Sequence, residues 1–289
     1  MQGLSRVAAI QLVCTADPIA NLQRVEAQIR SAAAAGAQWV VLPENFALMD
    51  GAASRALGEQ EQSSGGHVRQ HLSALSAQLG IWIVAGSLPD ARRPDGTLIT
   101  DGRVRSVCRI YGPQGQECAR YDKLHLFDVD VGDAQGRYRE SERFEPGDAV
   151  VSCDLSSGET STTFRLRVGL SICYDLRFPS LFSRLRAARC DVIVVPAAFT
   201  YETGRHHWEI LLRARAIENQ VYIVAANQGG WHDARRRTWG HSMIIDPWGE
   251  VLDCVEAEGE GMALATLDGA HLAKIQMAMP LLQHRRDLI

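Results

Sequence analysis

Residues 167–179 read RVGLSICYDLRFP. The apolar run 168–172 does not alternate with polar residues, which is the pattern of a strand buried on both faces. It ends at Cys173, YDLRFP reads as a turn, and a helical pattern, LFSRLRAA, follows from Ser180. A cysteine at a strand-to-helix turn presents its sulfur at the strand end. The amide nitrogens just beyond it can face a developing oxyanion. The same residue also fits a small buried thiol packed as an apolar side chain, and the stretch alone leaves both readings open.

Working outward, this stretch proves to be one copy of a repeat. RVGLSIC at 167–173 matches RVAAIQL at 6–12, and ARCDVIVVPA at 188–197 matches AGAQWVVLPE at 35–44. QVYIVAAN at 220–227 matches GIWIVAGS at 80–87, and MIIDPWGEV at 243–251 matches RIYGPQGQE at 109–117. The order is the same in both halves. The expectation is one α/β domain over residues 1–289, built from two pseudo-symmetric β-α-β-α-β-hairpin halves with sheets inside and helices outside. Cys173 falls opposite Leu12, so the cysteine belongs to one half only.

Helices are expected over 21–35, 67–79, from Ser180, over 207–220 and over 272–279, and one short helix within the polar segment 50–66. Residues 123–138 show no clear period and read as a long polar loop, a feature that is usually functional inside a compact domain. The chain of 289 residues has a formal charge of −4, 46% apolar and 22% charged residues. Such a balance gives no reason to expect nucleic acid or an anionic membrane as partner. The short basic clusters at 235–237 and 285–286 read as solvated surface or ion-pair partners. Seven scattered cysteines without a CxxC suggest no metal site and a reducing, cytoplasmic compartment. The N-terminus reads as a first strand rather than a signal peptide, and no apolar run is long enough to span a bilayer.

Three polar residues share one setting, the end of a strand or the loop beyond it: Glu44, Lys123 and Cys173. Strand ends on one edge of such sheets converge. A carboxylate there can take the thiol proton, and an ammonium can lower the thiol pKa and hold an oxyanion. A cysteine–histidine pair is the competing arrangement, with His125, His206, His207 and His241 as candidate bases. His125 is expected to support Lys123, and His207 to open a helix.

PENF at 43–46, YDKLHLFDVD at 121–130, YRES at 138–141 and GLSICYDLRFP at 169–179 resemble the motifs of the nitrilase superfamily of carbon–nitrogen hydrolases. The resemblance implies a four-layer α-β-β-α sandwich. It implies Glu44 as general base, Lys123 as oxyanion and positioning lysine, Cys173 as nucleophile, Glu140 as a second glutamate orienting the lysine and substrate, and the Tyr174 amide as partner of the oxyanion. The segments 196–230, 239–251 and 283–288 resemble the branch that hydrolyses deaminated glutathione, with His206 as a departure at the expected pocket rim. The implied reaction is hydrolysis of a terminal carboxamide in a small molecule through a cysteine thioester, without metal or organic cofactor, in a homodimer or larger homo-oligomer. Arg177 is the candidate for a substrate carboxylate, or else an ion-pair partner of Asp175 or Glu140. Phe199 and Thr200 are candidate lining residues, and Trp208 and Glu209 read as packing and capping residues. An omega-amidase acting on 2-oxoglutaramate and an N-carbamoyl hydrolase are the alternative enzymes. A binding protein on the same scaffold would have no need of Glu44, Lys123, Glu140 and Cys173 together.

Overall fold

A computed structural model describes residues 1–61, 66–132, 136–157, 163–256 and 258–286. Parts of three sequence features lie outside these residues: 62–65 of the polar segment, 133–135 of the expected loop, and 287–288 of the C-terminal motif. The first half contains β1 (Leu4–Gln11), α1 (Pro18–Ala34), β2 (Trp39–Val41), α2 (Ser54–Glu61), α3 (His67–Leu79), β3 (Trp82–Asp90), β4 (Arg105–Tyr111) and β5 (Glu117–Asp122). A connecting stretch holds β6 (Asp128–Asp130), β7 (Arg137–Arg139) and β8 (Ser152–Ser156). The second half contains β9 (Arg165–Leu170), α4 (Pro179–Ala187), β10 (Val192–Ala197), α5 (Tyr201–Asn219), β11 (Tyr222–Asn227), β12 (Gly229–Trp231), β13 (Arg237–Trp239), β14 (Met243–Ile245) and β15 (Val251–Cys254). It is followed by β16 (Gly261–Asp268), α6 (Gly269–Ala278) and α7 (Leu281–His284).

Among the described residues two six-stranded sheets form, in the orders β16-β1-β2-β3-β4-β5 and β8-β9-β10-β11-β14-β15. The repeat is visible in the strand pairing. β1, β2 and β3 are mutually parallel, as are β9, β10 and β11, and each set is flanked by antiparallel strands. The central strands β2, β3, β10 and β11 bury both faces, on which successive side chains alternate. Val7 and Ala9 join the core shared with Val168, Leu170 and Val194 of the other sheet. Ala8 and Ile10 face the other way, against Leu22, Val25 and Ile29 of α1 and Leu72 of α3. The layers are therefore helix, sheet, sheet, helix, with α4 and α5 covering the second sheet, an α-β-β-α sandwich.

Local sequence explains the element ends. Asp17 caps α1 by accepting from the amides of Ile19 and Ala20, and Pro18 occupies the first turn, where its missing N–H costs nothing. Gly80 ends α3 at φ +65°, a conformation that costs glycine no side-chain clash.

Two expectations change. Residues 123–138 are not a plain loop, because Asp128–Asp130 pairs antiparallel with Arg137–Arg139. DVD and RYR do alternate, but over three residues each, too short a run to announce a strand. The fifth helix starts at Tyr201, so His207 lies well inside it rather than at its start. The polar first turns hid the helix's true beginning.

Candidate active site

The turn after β9 is built around a buried carboxylate. Ser171 Oγ donates to the carbonyl of Val194 at 2.8 Å and ties the strand end to β10. The amide of Ile172 donates to Asp175 Oδ2 at 2.9 Å, and the Tyr121 hydroxyl donates to the same oxygen at 2.6 Å. The amide of His125 donates to Asp175 Oδ1 at 3.0 Å, and His125 Nδ1 is 2.7 Å from that oxygen. His125 also stacks on Phe178, centroids 3.6 Å apart. This clamp holds Cys173 at φ +49°. A non-glycine residue in that region costs roughly 1–2 kcal/mol, which the surrounding bonds must offset. His125 therefore supports the cysteine turn and not Lys123. The sequence offers Asp175 only as an ion-pair partner of Arg177; the signal of its clamping role is an acidic residue three positions past Ile172, the spacing of a helix-start capping box.

Glu44 follows β2 through Pro43. The next amide, that of Asn45, donates to Ser87 Oγ at 3.0 Å, and Gln228 Nε2 donates to the Glu44 carbonyl at 3.0 Å. Close approach of the neighbouring strand requires glycine at 86: a Cβ there would stand 1.9 Å from the Pro43 carbonyl oxygen. Lys123 directly follows β5, its amide donating to the Ser106 carbonyl at 2.9 Å. Glu140 lies in the 3-10 turn Glu140–Glu142 that directly follows β7.

These three side chains meet. Lys123 Nζ donates to Glu44 Oε1 at 2.7 Å and to both Glu140 oxygens at 2.8 and 2.9 Å. Glu140 Oε2 also accepts from the Phe127 amide at 2.6 Å. Burial by itself depresses the Lys123 ammonium, but Glu140 and Glu44 override it and raise its pKa well above the usual lysine value. Burial likewise raises Glu140, against the pull of Lys123. Burial, and then the Glu44 carboxylate, push the Cys173 thiol well above its ordinary value despite the attraction of Lys123. The ammonium does pull the thiol pKa down, as expected, but burial and the Glu44 carboxylate outweigh it. Desolvation of a wholly enclosed sulfur exceeds one screened attraction.

A cavity of about 470 Å³ opens over this cluster. Glu44, Lys123, Glu140, Cys173, Tyr174, Arg177, Phe199 and Thr200 all line it. Arg177 forms no ion pair with Asp175 or Glu140. Its guanidinium lies 5.9 Å from the Tyr174 ring centroid and 5.3 Å from that of Phe199, and Nη1 is 3.2 Å from His207 Nδ1. The Phe199 amide donates to Asn227 Oδ1 at 3.0 Å, and Thr200 Oγ1 is 2.8 Å from Thr203 Oγ1. Among the described residues no histidine lines the cavity, which leaves the cysteine–histidine arrangement without a base. His206 stands beside Arg205 at 3.1 Å on an exposed face of α5 rather than at the rim. His241 Nδ1 is 2.9 Å from the Trp239 carbonyl. Trp208 is wholly buried against Phe199, and exposed Glu209 pairs with Arg213 at 3.1 Å. Of the basic cluster 235–237, Arg236 lines the cavity, while Arg237 pairs with Glu258 and covers the Tyr201 ring.

Comparison with known proteins agrees with this geometry. The model of the carbon–nitrogen hydrolase family matches residues 6–276. Deaminated glutathione amidase of Yersinia enterocolitica is 42% identical over 286 residues, which cover 98% of this chain and 93% of that relative. Omega-amidase NIT2 of Homo sapiens is 35% identical over 282 residues, 98% of this chain and 95% of the relative. The crystal structure of Saccharomyces cerevisiae Nit3, a member of branch 10 of the nitrilase superfamily, superimposes with a TM-score of 0.83 at 29% identity, covering 98% of this chain and 97% of that one. With the family model spanning both repeats, and the lysine, two glutamates and cysteine gathered in one cavity, the chain belongs to the carbon–nitrogen hydrolase family, within the nitrilase superfamily.

Proposed function

We propose that this carbon–nitrogen hydrolase cleaves the amide of deaminated glutathione through a thioester on Cys173. The observation that carries the reading is the Lys123 ammonium held between Glu44 and Glu140 in the cavity that Cys173 lines. The relatives at 42% and 35% identity support amide substrates with a 2-oxo acid end.

The residues set the order of events. The raised Cys173 pKa means the enzyme rests as a thiol, so the proton must leave as the sulfur attacks. Glu44 Oε1 is engaged by Lys123, and Oε2 receives that proton. As the carbon–sulfur bond forms, the carbonyl electron pair moves to oxygen, and the oxyanion is held by Lys123 Nζ and the Tyr174 amide. The raised Lys123 pKa keeps the ammonium charged throughout, so it stabilises charge and does not donate its proton. Collapse breaks the carbon–nitrogen bond, and Glu44 returns its proton to the leaving nitrogen. Water then gives a proton to Glu44 and attacks the thioester, and the departing sulfur takes that proton back. Arg177, flanked by Tyr174 and Phe199, binds the 2-oxo acid carboxylate, and Thr200 lines the same wall.

One expectation needs a chemical correction. A terminal carboxamide releases ammonia, and 2-oxoglutaramate is such a substrate. In deaminated glutathione the scissile amide is N-substituted, so the leaving group is the dipeptide cysteinylglycine. Both reactions yield 2-oxoglutarate. That product is therefore to be measured from each substrate with the native protein and with Cys173→Ala. Release from deaminated glutathione that vanishes in the variant is the expected result. Faster release from 2-oxoglutaramate would move the assignment to omega-amidase, and inertness toward both, to another amide or carbamoyl compound. Self-association as a homodimer or larger assembly belongs to the same reading, as does a reducing compartment, which seven free cysteines support.

A further inference from the structure

The cavity has a floor and a mouth of different character. At the floor, Glu44, Lys123 and Cys173 are buried. Toward the mouth stand Arg143, which is exposed, and Arg236, which is half-buried. The Arg143 guanidinium extends along Gly51, where a Cβ would lie 3.6 Å from Nη1. Arg236 is carried by the turn between β12 and β13, and its own amide donates to Asp233. Among the described residues neither guanidinium has a carboxylate within ion-pair distance. The acids at the mouth are engaged elsewhere: Asp50 accepts from the Ala52 amide at 2.8 Å, and Glu142 lies 3.9 Å from Arg137. Arginine without a partner at a cavity wall is suited to bind a carboxylate through its fork of N–H donors.

We propose that Arg143 and Arg236 form a second carboxylate subsite at the cavity mouth, which binds the far end of the leaving group. The inference rests on the amide hydrolysis proposed above. A substrate with a carboxylate at each end then spans the cavity, its 2-oxo acid end at Arg177 and its C-terminal carboxylate at the mouth. An extended dipeptide reaches about 7 Å beyond the scissile nitrogen and so carries its C-terminal carboxylate away from the floor-bound carbonyl. Small amides such as 2-oxoglutaramate have no group for this subsite, so it selects longer, peptide-like amides by contacts that shorter ones cannot make.

Steady-state kinetics of Arg143→Gln, Arg236→Gln and the double variant test this, with deaminated glutathione, its C-terminal carboxamide analogue and 2-oxoglutaramate. KM for deaminated glutathione is expected to rise about fivefold in each single variant and about twentyfold in the double, with kcat little altered. The effect on 2-oxoglutaramate is expected to be at least about fivefold smaller. The carboxamide analogue should bind the native enzyme as weakly as deaminated glutathione binds the double variant. Turnover of deaminated glutathione that is indifferent to both arginines overturns the subsite alone. Equal losses on all three substrates also overturn it, since they report a structural role. A native enzyme active on 2-oxoglutaramate but inert on deaminated glutathione overturns the subsite and the substrate assignment together.

Discussion

The two halves of the molecule share a plan and divide the chemistry. After β1 the first half continues to Leu12, a wholly buried residue bridged to Gln228. After β9 the second half reaches Cys173, turned out of the strand at φ +49°. The reverse holds one strand over. The first half places Glu44 just beyond β2, whereas the matching position of the second half is Ala197, still inside β10. Lys123 comes from just beyond β5 and Glu140 from the connecting stretch. Neither half holds the proposed nucleophile, Cys173, together with the proposed base, Glu44. The repeat gives two similar six-stranded sheets, and the cavity draws its residues from both halves and the stretch between them.

The sharpest way to break this comparison is to move the nucleophile. Cys173→Ala combined with Leu12→Cys keeps the number of thiols and changes the half that holds one. Amide hydrolysis is expected to fall by about 10⁴-fold or more and not to return, because the buried site of Leu12 has no base and no oxyanion donor. Product release from the native protein, Cys173→Ala and the double variant decides it. Measurable recovery in the double variant would mean that the halves are functionally equivalent.

Removing the group that ties the first half to the connecting stretch is the next test. Lys123→Met leaves the Glu44 and Glu140 carboxyls buried without their shared ammonium. A loss of about 3–5 kcal/mol in unfolding free energy is expected, together with loss of activity, because a buried charge without its partner is costly. Urea denaturation measures the first and product release the second. Unchanged stability would show that the carboxylates are relieved by protonation at little cost.

The smallest effect concerns a staple unique to the second half. Between β3 and β4 the first half has only the single antiparallel bridge Arg92–Leu98, whereas the β12–β13 ribbon of the second half carries His232. His232 Nδ1 is 2.7 Å from the Cys14 carbonyl of the first half, and Nε2 is 2.7 Å from Thr238 Oγ1. Burial lowers its pKa from 6.5 to about 4. Between those values the unfolded chain binds a proton that the native state excludes, so His232 makes the protein less stable as pH falls. The native protein should lose about 3 kcal/mol from this group between pH 6.5 and 4. Subtracting the same denaturation series for His232→Gln isolates that contribution, and parallel curves would refute it.

What was legible in the sequence follows from how each feature is encoded. β2, β10 and β11 announce themselves as continuous apolar runs because both of their faces are covered. The two halves appear because the same pattern recurs in order. Glu44, Lys123 and Cys173 stand out by their place at strand ends, and Glu140 by resemblance alone. The β6–β7 ribbon was not legible, since the alternation in DVD and RYR lasts only three residues in each strand. The role of His125 was misplaced, because its partner Asp175 is 50 positions away.

By itself, then, the sequence determined the layers, the pairing of halves and the kinds of groups available, all of which depend on local periodicity or on motifs. Only the tertiary structure decided which groups meet. Lys123 and Glu44 are 79 positions apart, and no local pattern encodes their 2.7 Å contact. The same holds for the protonation of Cys173. A thiol beside an ammonium looks activated on paper, and the folded chain keeps it neutral because desolvation, a property of the whole enclosure, outweighs a single neighbour's charge.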